Sequence, residues 1–244
     1  MMALVDSSVA SGPEAGAAAD LAVASLALAR RFAAGATLWC MAPQWPSHGR
    51  HVAVEFVHPV VMGARALPAV SLHEADAAAT VRLAARPGDI LLAVSTADHA
   101  GTVDLLTRSG AWGLTSVWLG AGNRPVGSPA DHVVWLEGVD PALACRSGDL
   151  VLMYHLLWEL THVGLEHPGL LEAEPECTDG VCVTCSDEGR MAEVIGVGTD
   201  GRVTALVGGR REVVDASLVD RAEPGDLLLV HAGVAITSLG GAAT

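Results

Sequence analysis

Gly225-Asp226-Leu227-Leu228-Leu229-Val230-His231-Ala232-Gly233-Val234-Ala235-Ile236 is an apolar run of strand character with a single imidazole set inside it. Pro224-Gly225-Asp226 supplies a turn at its entrance. Reading back toward the N-terminus, residues 191–197, 203–207 and 212–214 are further β-type runs, and 227–236 is the last of the series. Gly198-Thr199-Asp200-Gly201 and Gly208-Gly209 lie between them as turns. No helical periodicity interrupts these runs, so residues 181–244 are expected to close into a small all-β barrel. About forty residues before this run begins at Gly225 stands the last of three cysteines, Cys177, Cys182 and Cys185.

The chain upstream has a different texture. Residues 1–16 are rich in Ser, Gly and Ala and read as a tail, and residues 17–34 form an Ala/Leu-rich helix ending near Arg30 and Arg31. Short apolar runs at 36–41, 69–72, 89–95, 113–119 and 132–136 are candidate strands. Their hydrophobicity is continuous rather than alternating, as in strands buried on both faces of a parallel sheet. Residues 50–58 and 100–109 are candidate helices between strands, and a long helix over about 150–167 closes this part. Strands that alternate with helices predict an α/β, doubly wound parallel sheet over 17–168. Pro168, Gly169 and Pro175, with Glu172, Glu174 and Glu176, mark a linker over 169–180.

Composition removes several classes of function. The chain has 244 residues, 51% of them hydrophobic and 17% charged, which is enough to bury a sizeable core. A net charge of −14 argues against nucleic acid and against anionic lipid as partners. The apolar run 21–29 is too short to span a bilayer, and Asp6 and Glu14 stand where a signal peptide carries basic residues. A cytoplasmic location is expected, with the five cysteines acting as thiols, ligands or nucleophiles.

Residues 182–239 resemble the HypC/HupF family of hydrogenase maturation chaperones. Three blocks carry the resemblance: 209–219, beginning Gly209-Arg210-Arg211-Glu212-Val213; the turn Pro224-Gly225-Asp226; and 229–236, Leu229-Val230-His231-Ala232-Gly233-Val234-Ala235-Ile236. The resemblance implies an OB-like barrel that handles an Fe(CN)2(CO) group through a thiol. It also implies a HypD-like maturation protein and a hydrogenase large-subunit precursor as partners. Family members begin Met-Cys, whereas here the cysteines sit mid-chain in Cys182-Val183-Thr184-Cys185, and Cys185 lies nearer the first strand. Thiolate suits a soft iron centre, and an imidazole such as His231 can orient a ligand or lower a thiol's pKa. A structural zinc site from the three cysteines with His167, free loop thiols, and a core role for His231 remain open on the residues alone.

Residues 17–167 resemble SIS domains, the sugar isomerase fold, and within them the phosphoheptose isomerase branch. Ser47-His48, followed by His51-x3-Glu55, is similar to that branch's active-site helix, and His155 to its last active-site histidine. His51 and Glu55 are four apart and share a helix face. The resemblance implies that His51, Glu55 and His155 hold a divalent metal such as zinc, or that Glu55 and His155 act as acid and base. Ser95 and Thr96 correspond to the branch's phosphate loop, but alanines replace later hydroxyls and Asp98 adds a negative charge. Ser147 stands where the branch has glutamine. SIS relatives dimerise or tetramerise, so a homodimer or homotetramer is expected.

Of the other candidates, Cys40 and Cys145 read as small buried apolar residues and Trp112, Trp118, Trp135 and Trp158 as packing groups. His162 and His167 read as helix-end charges, as does the pair Arg30-Arg31. Two functions from different classes follow. One is a hydrogenase assembly factor that carries or delivers the iron group through Cys182 or Cys185 beside His231. The other is a metal-dependent isomerase acting on a sedoheptulose 7-phosphate-like sugar, with the barrel as a regulatory appendage. Loss of the phosphate-loop hydroxyls favours the first, and whether the chain is an enzyme is left open.

Overall fold

The computed structural model describes residues 13–59, 63–172, 189–198 and 200–241. Its first unit is a five-stranded, all-parallel sheet in the order β2-β1-β3-β4-β5. The strands are β1 Leu38–Met41, β2 Ala69–Ser71, β3 Ile90–Val94, β4 Thr115–Gly122 and β5 His132–Glu137. The helices are α1 Pro13–Ala33, α2 Pro46–Val57, α3 Ala77–Ala84, α4 Ala100–Ser109, α5 Pro141–Ser147 and α6 Asp149–Glu166. Every residue of β1 and β3 is buried, as the unbroken apolar runs predict.

Alternation along the strands sorts two cores. Leu38, Cys40, Ile90, Leu92 and Val94 pack with α1, α2 and α6 on one face. Trp39, Met41, Leu91 and Ala93 pack on the other with Val81 of α3 and Leu105 and Leu106 of α4. Helix α1 begins at Pro13, four residues ahead of the expected start, with proline at a helix start where its missing N–H costs nothing. Helices α3 and α5 were not among the sequence expectations. The buried Asp89 ties the foot of the sheet together, accepting from Thr37 N at 2.8 Å, Trp39 Nε1 at 3.1 Å and Arg86 N at 2.9 Å.

The second unit is a closed five-stranded barrel, β10-β8-β7-β6-β9. Its strands are β6 Arg190–Val197, β7 Arg202–Val207, β8 Arg210–Asp215, β9 Leu227–His231 and β10 Val234–Gly240. The run read as one strand over 227–236 is in fact a hairpin. Ala232 (φ 49°) and Gly233 (φ 82°) both turn left-handed, which matches the right-handed twist of the flanking strands. Ala192, Val194, Val203, Ala205, Val207, Val214, Leu228 and Val230 fill the interior. Cys177, Cys182 and Cys185 lie outside the described residues.

The two units share one apolar core. Met191, Leu206 and Leu227 of the barrel join the cluster formed by α3, α4 and the sheet. Glu193 of β6 is buried in this joint, accepting from Arg82 Nε at 2.9 and 3.1 Å and from Trp112 Nε1 at 2.7 Å. Arg108 Nη1 donates to Gly225 O at 2.9 Å, and Gly209 N to Ala111 O at 2.8 Å. Gly113 (φ 75°) lets the backbones meet, since a Cβ there would stand 2.6 Å from Gly208 O. Truncating Glu193 would leave the buried Trp112 N–H unpaired, at a cost of about 1–3 kcal/mol.

Candidate functional site

Helix α2 starts at Pro46, with fixed φ in its first turn, and leads His51 and Glu55 out on adjacent turns of one face. Helix α6 crosses beside it and presents Tyr154 and His155. His51 Nε2 stands 3.1 Å from Glu55 Oε1, His155 Nε2 3.4 Å from the same oxygen, and the two Nε2 atoms 3.4 Å apart. Three donors on a tetrahedral zinc, each about 2.0–2.1 Å from the ion, are separated by roughly 3.3–3.4 Å. The donor set and spacing therefore fit a divalent metal. The Glu55 side chain is 13% exposed, while His51 and His155 are 40% and 44% exposed, so the cluster opens to solvent on the histidine side.

Tyr154 completes the arrangement. Its hydroxyl lies 2.7 Å from His51 Nδ1, leaving Nε2 to face Glu55 and His155. Such a partner fixes ring orientation and tautomer in a metal-binding histidine. Burial, and then the negative charge of Glu55, push the Tyr154 phenol up to about 12, so it stays a neutral hydrogen-bonding group. Tyrosine was missed in the sequence reading because a hydroxyl one position before a candidate ligand carries no spacing signal.

The remaining expected ligand residues are placed less favourably. Ser47 is exposed in the first turn of α2. His48 is buried, and its Nε2 lies 3.5 Å from Cys145 Sγ. Burial chiefly, and then the charge of His51, lower its pKa, against an opposing hydrogen bond to the Cys145 backbone. Cys145 is thus half-buried against an imidazole, whereas Cys40 is fully buried in the core, with its thiol pushed up by burial alone. His162 is a correction: it is not a helix-end charge but a buried group with Nδ1 2.9 Å from Trp158 O and Nε2 2.9 Å from Arg65 O.

The phosphate loop departs furthest from expectation. Ser95 is fully buried, and its Oγ accepts from Trp118 Nε1 at 2.9 Å while donating to Thr96 O at 3.1 Å. Thr96 is held by Gln44, with its N–H donating to Gln44 Oε1 and its Oγ1 accepting from Gln44 Nε2, both at 2.9 Å. The first turn of α4, where a phosphate would meet free N–H groups, is capped from within. His99 Nδ1 accepts from Thr102 N at 3.1 Å. A hollow of about 620 Å³ at the carboxyl ends of β3, β4 and β5 has Asp98 and Asp140 as its charged lining residues. The Asp98 carboxyl is held below the usual carboxylate range by hydrogen bonds from Thr96 and its own backbone, so it is charged at neutral pH. The expectation that Ser95 and Thr96 grip a ligand phosphate is therefore not met by their geometry.

In the barrel, His231 ends β9 and is half-buried beside the Ala232-Gly233 turn. Strand β6 pairs with β9 from Arg190↔Val230 onward, so the chain enters the barrel alongside His231. No helix among the described residues is long and apolar enough to cross a membrane.

Residues 189–243 match the HupF/HypC family. No curated protein matches the sequence. The phosphoheptose isomerase of Francisella tularensis is similar in structure, with a TM-score of 0.53 at 15% identity, over 62% of this chain and 91% of its own. The phosphoheptose isomerase of Neisseria gonorrhoeae aligns over 62% of this chain and 91% of its own, with a TM-score of 0.48 at 16% identity. The chain is thus a fusion in which a unit with the sugar isomerase fold carries a C-terminal barrel that matches the HupF/HypC family.

Proposed function

We propose that this protein is a hydrogenase maturation factor whose barrel receives an Fe(CN)2(CO) group as cargo and passes it on. The observation that carries the reading is the HupF/HypC match over 189–243, on a closed barrel with His231 beside the chain's entry point. Cys185 is four residues before Gly189, and a chain of that length extends at most about 14 Å. In this reading the thiol is Cys185 or, three residues further back in sequence, Cys182. Its thiolate would bind the soft iron fragment, with His231 orienting it. The partners are a HypD-like protein and a hydrogenase large-subunit precursor, in the cytoplasm.

The sheet unit serves as the platform. An exposed stripe of Leu152, Leu156, Leu160 and Val163 on α6 supports self-association as a homodimer or homotetramer. His51, Glu55 and His155 would hold a zinc ion, which when bound supplies Lewis-acid chemistry. The protein's own part is to set the Glu55 carboxyl beside two imidazoles and to fix His51 through Tyr154.

The test is co-purification with the HypD-like partner. Capture by the wild-type chain that is lost in Cys185→Ala or Cys182→Ala supports the reading, and capture that both variants retain removes the thiol from it. One alternative has an observation of its own: the His51–Glu55–His155 cluster also suits a metal-dependent sugar isomerase. Turnover of sedoheptulose 7-phosphate that vanishes in Glu55→Gln would replace the assembly role with that activity.

A further inference from the structure

The search for anion sites leads away from the strand carboxyl ends, where the lining charges are acidic, to the opposite edge of the sheet. There, a hollow of about 510 Å³ lies between the end of α1 and the starts of β4 and β5. Arg30, Arg31, Asp131 and His132 are its titratable lining residues. The acid is already engaged, since Asp131 Oδ2 accepts from Ser116 N at 2.7 Å and from Ser116 Oγ at 2.8 Å. The two arginines are exposed, and neither guanidinium has an ion pair or hydrogen bond among the described residues. Among the described residues six of the fourteen arginines, Arg82, Arg108, Arg124, Arg190, Arg202 and Arg221, face a carboxylate, so what sets Arg30 and Arg31 apart is that they share one hollow.

The ordinary explanation for arginines at a helix end is that they satisfy its last carbonyls. Here that work is done by the backbone. Ala34 N donates to Arg30 O and Arg31 O at 3.2 and 3.1 Å, Gly35 N to Phe32 O at 3.0 Å, and Ala36 N to Arg31 O at 3.0 Å. Two guanidinium forks are therefore left with open donors on a chain of net charge −14. Guanidinium geometry matches phosphate and carboxylate oxygens in pairs, and the volume is that of a small-molecule site. The half-buried His132 ring lines the same hollow.

We infer that the hollow formed by Arg30, Arg31 and His132 binds a small oxyanion, a phosphate or carboxylate group, at the amino-terminal edge of the sheet. The site stands independently of the maturation role, because none of its residues belongs to the barrel or to the His51 cluster. It also sits at the end of the strands opposite the position where this fold would offer a helix N-terminus to phosphate, which His99 caps.

The test is isothermal titration of the full chain, cleared of metal with a chelator, at low ionic strength. Inorganic pyrophosphate reports phosphate recognition, citrate reports carboxylate recognition, and a hexaglutamate peptide reports an acidic protein segment. Saturable binding of pyrophosphate or citrate is expected, weakened about tenfold or more by Arg30→Gln and by Arg31→Gln and unchanged by Arg50→Gln. Arg31→Lys should fall between, because it keeps the charge and loses the paired donors. The exposed positions make loss of fold unexpected, and circular dichroism of each variant checks it. Binding that is absent for both small anions, that Arg50→Gln weakens equally, or that appears with hexaglutamate alone would overturn the inference.

Discussion

Two regions of the sheet unit use their polar groups in opposite ways. The His51–Glu55–His155 cluster keeps its donors turned toward one point and open to solvent. The loop after β3 has its hydroxyls and its imidazole taken up within the fold, Ser95 by Trp118, Thr96 by Gln44 and His99 by the first turn of α4, and leaves the Asp98 carboxylate facing the hollow. The cluster's three donors converge within reach of one ion, whereas the loop's hydroxyls are taken up by neighbouring side chains. The unit has the isomerase fold with a metal-ready corner but without an open phosphate cradle.

The largest effect that would break this contrast is on metal affinity. Removing a donor in Glu55→Gln or His51→Ala should weaken zinc binding by more than the roughly 10–100-fold typical of an outer partner. Competition with a chromophoric chelator measures it, and unchanged affinity would reduce the cluster to a surface hydrogen-bond network. Tyr154→Phe, which removes such an outer partner, should cost about 10–100-fold in the same assay.

Tyr154 is the chain's only tyrosine, so ultraviolet titration of tyrosinate reads it alone. Burial and the Glu55 charge both penalise the phenolate, so the midpoint should lie near 12, with the phenol still mainly protonated at pH 11. Glu55→Gln, or a bound cation, removes the negative charge and should lower the midpoint. A midpoint near the ordinary value of about 10 would mean that the corner is wetter than the structure describes. The smallest change is at the closed loop. Replacing Asp98 and His99 together by alanine uncaps the start of α4 and removes a repelling charge. Phosphate affinity should rise about two- to fivefold, at a cost in stability of about 1 kcal/mol for the altered cap. No gain would show that the loop is closed for reasons beyond these two side chains.

Much of this was legible in the chain. Unbroken apolar strands announced the buried parallel sheet, and the glycine turns after residue 197 announced the barrel. The His51-x3-Glu55 spacing placed two donors on one face, because helix geometry is local. The contacts that long-range packing decides were not legible. Nothing near Glu193 in sequence marks it as the partner of Arg82 and Trp112 across the joint, and Trp112 read as ordinary packing. Ser95 looked like a phosphate ligand because its hydroxyl is visible in sequence, while the indole of Trp118 that occupies it is not. The hairpin inside 227–236 was hidden because Ala232 is an unusual residue at a left-handed turn position.

The assembly role is tested most directly by infrared spectroscopy of protein produced alongside the maturation machinery and purified without oxygen. Stretching bands of iron-bound cyanide and carbon monoxide, with matching iron content, are predicted for the wild-type chain and should be lost when Cys182 and Cys185 are both changed to alanine. Protein that is free of iron and of both bands under those conditions, yet pairs with the same partners, would contradict a cargo-carrying barrel.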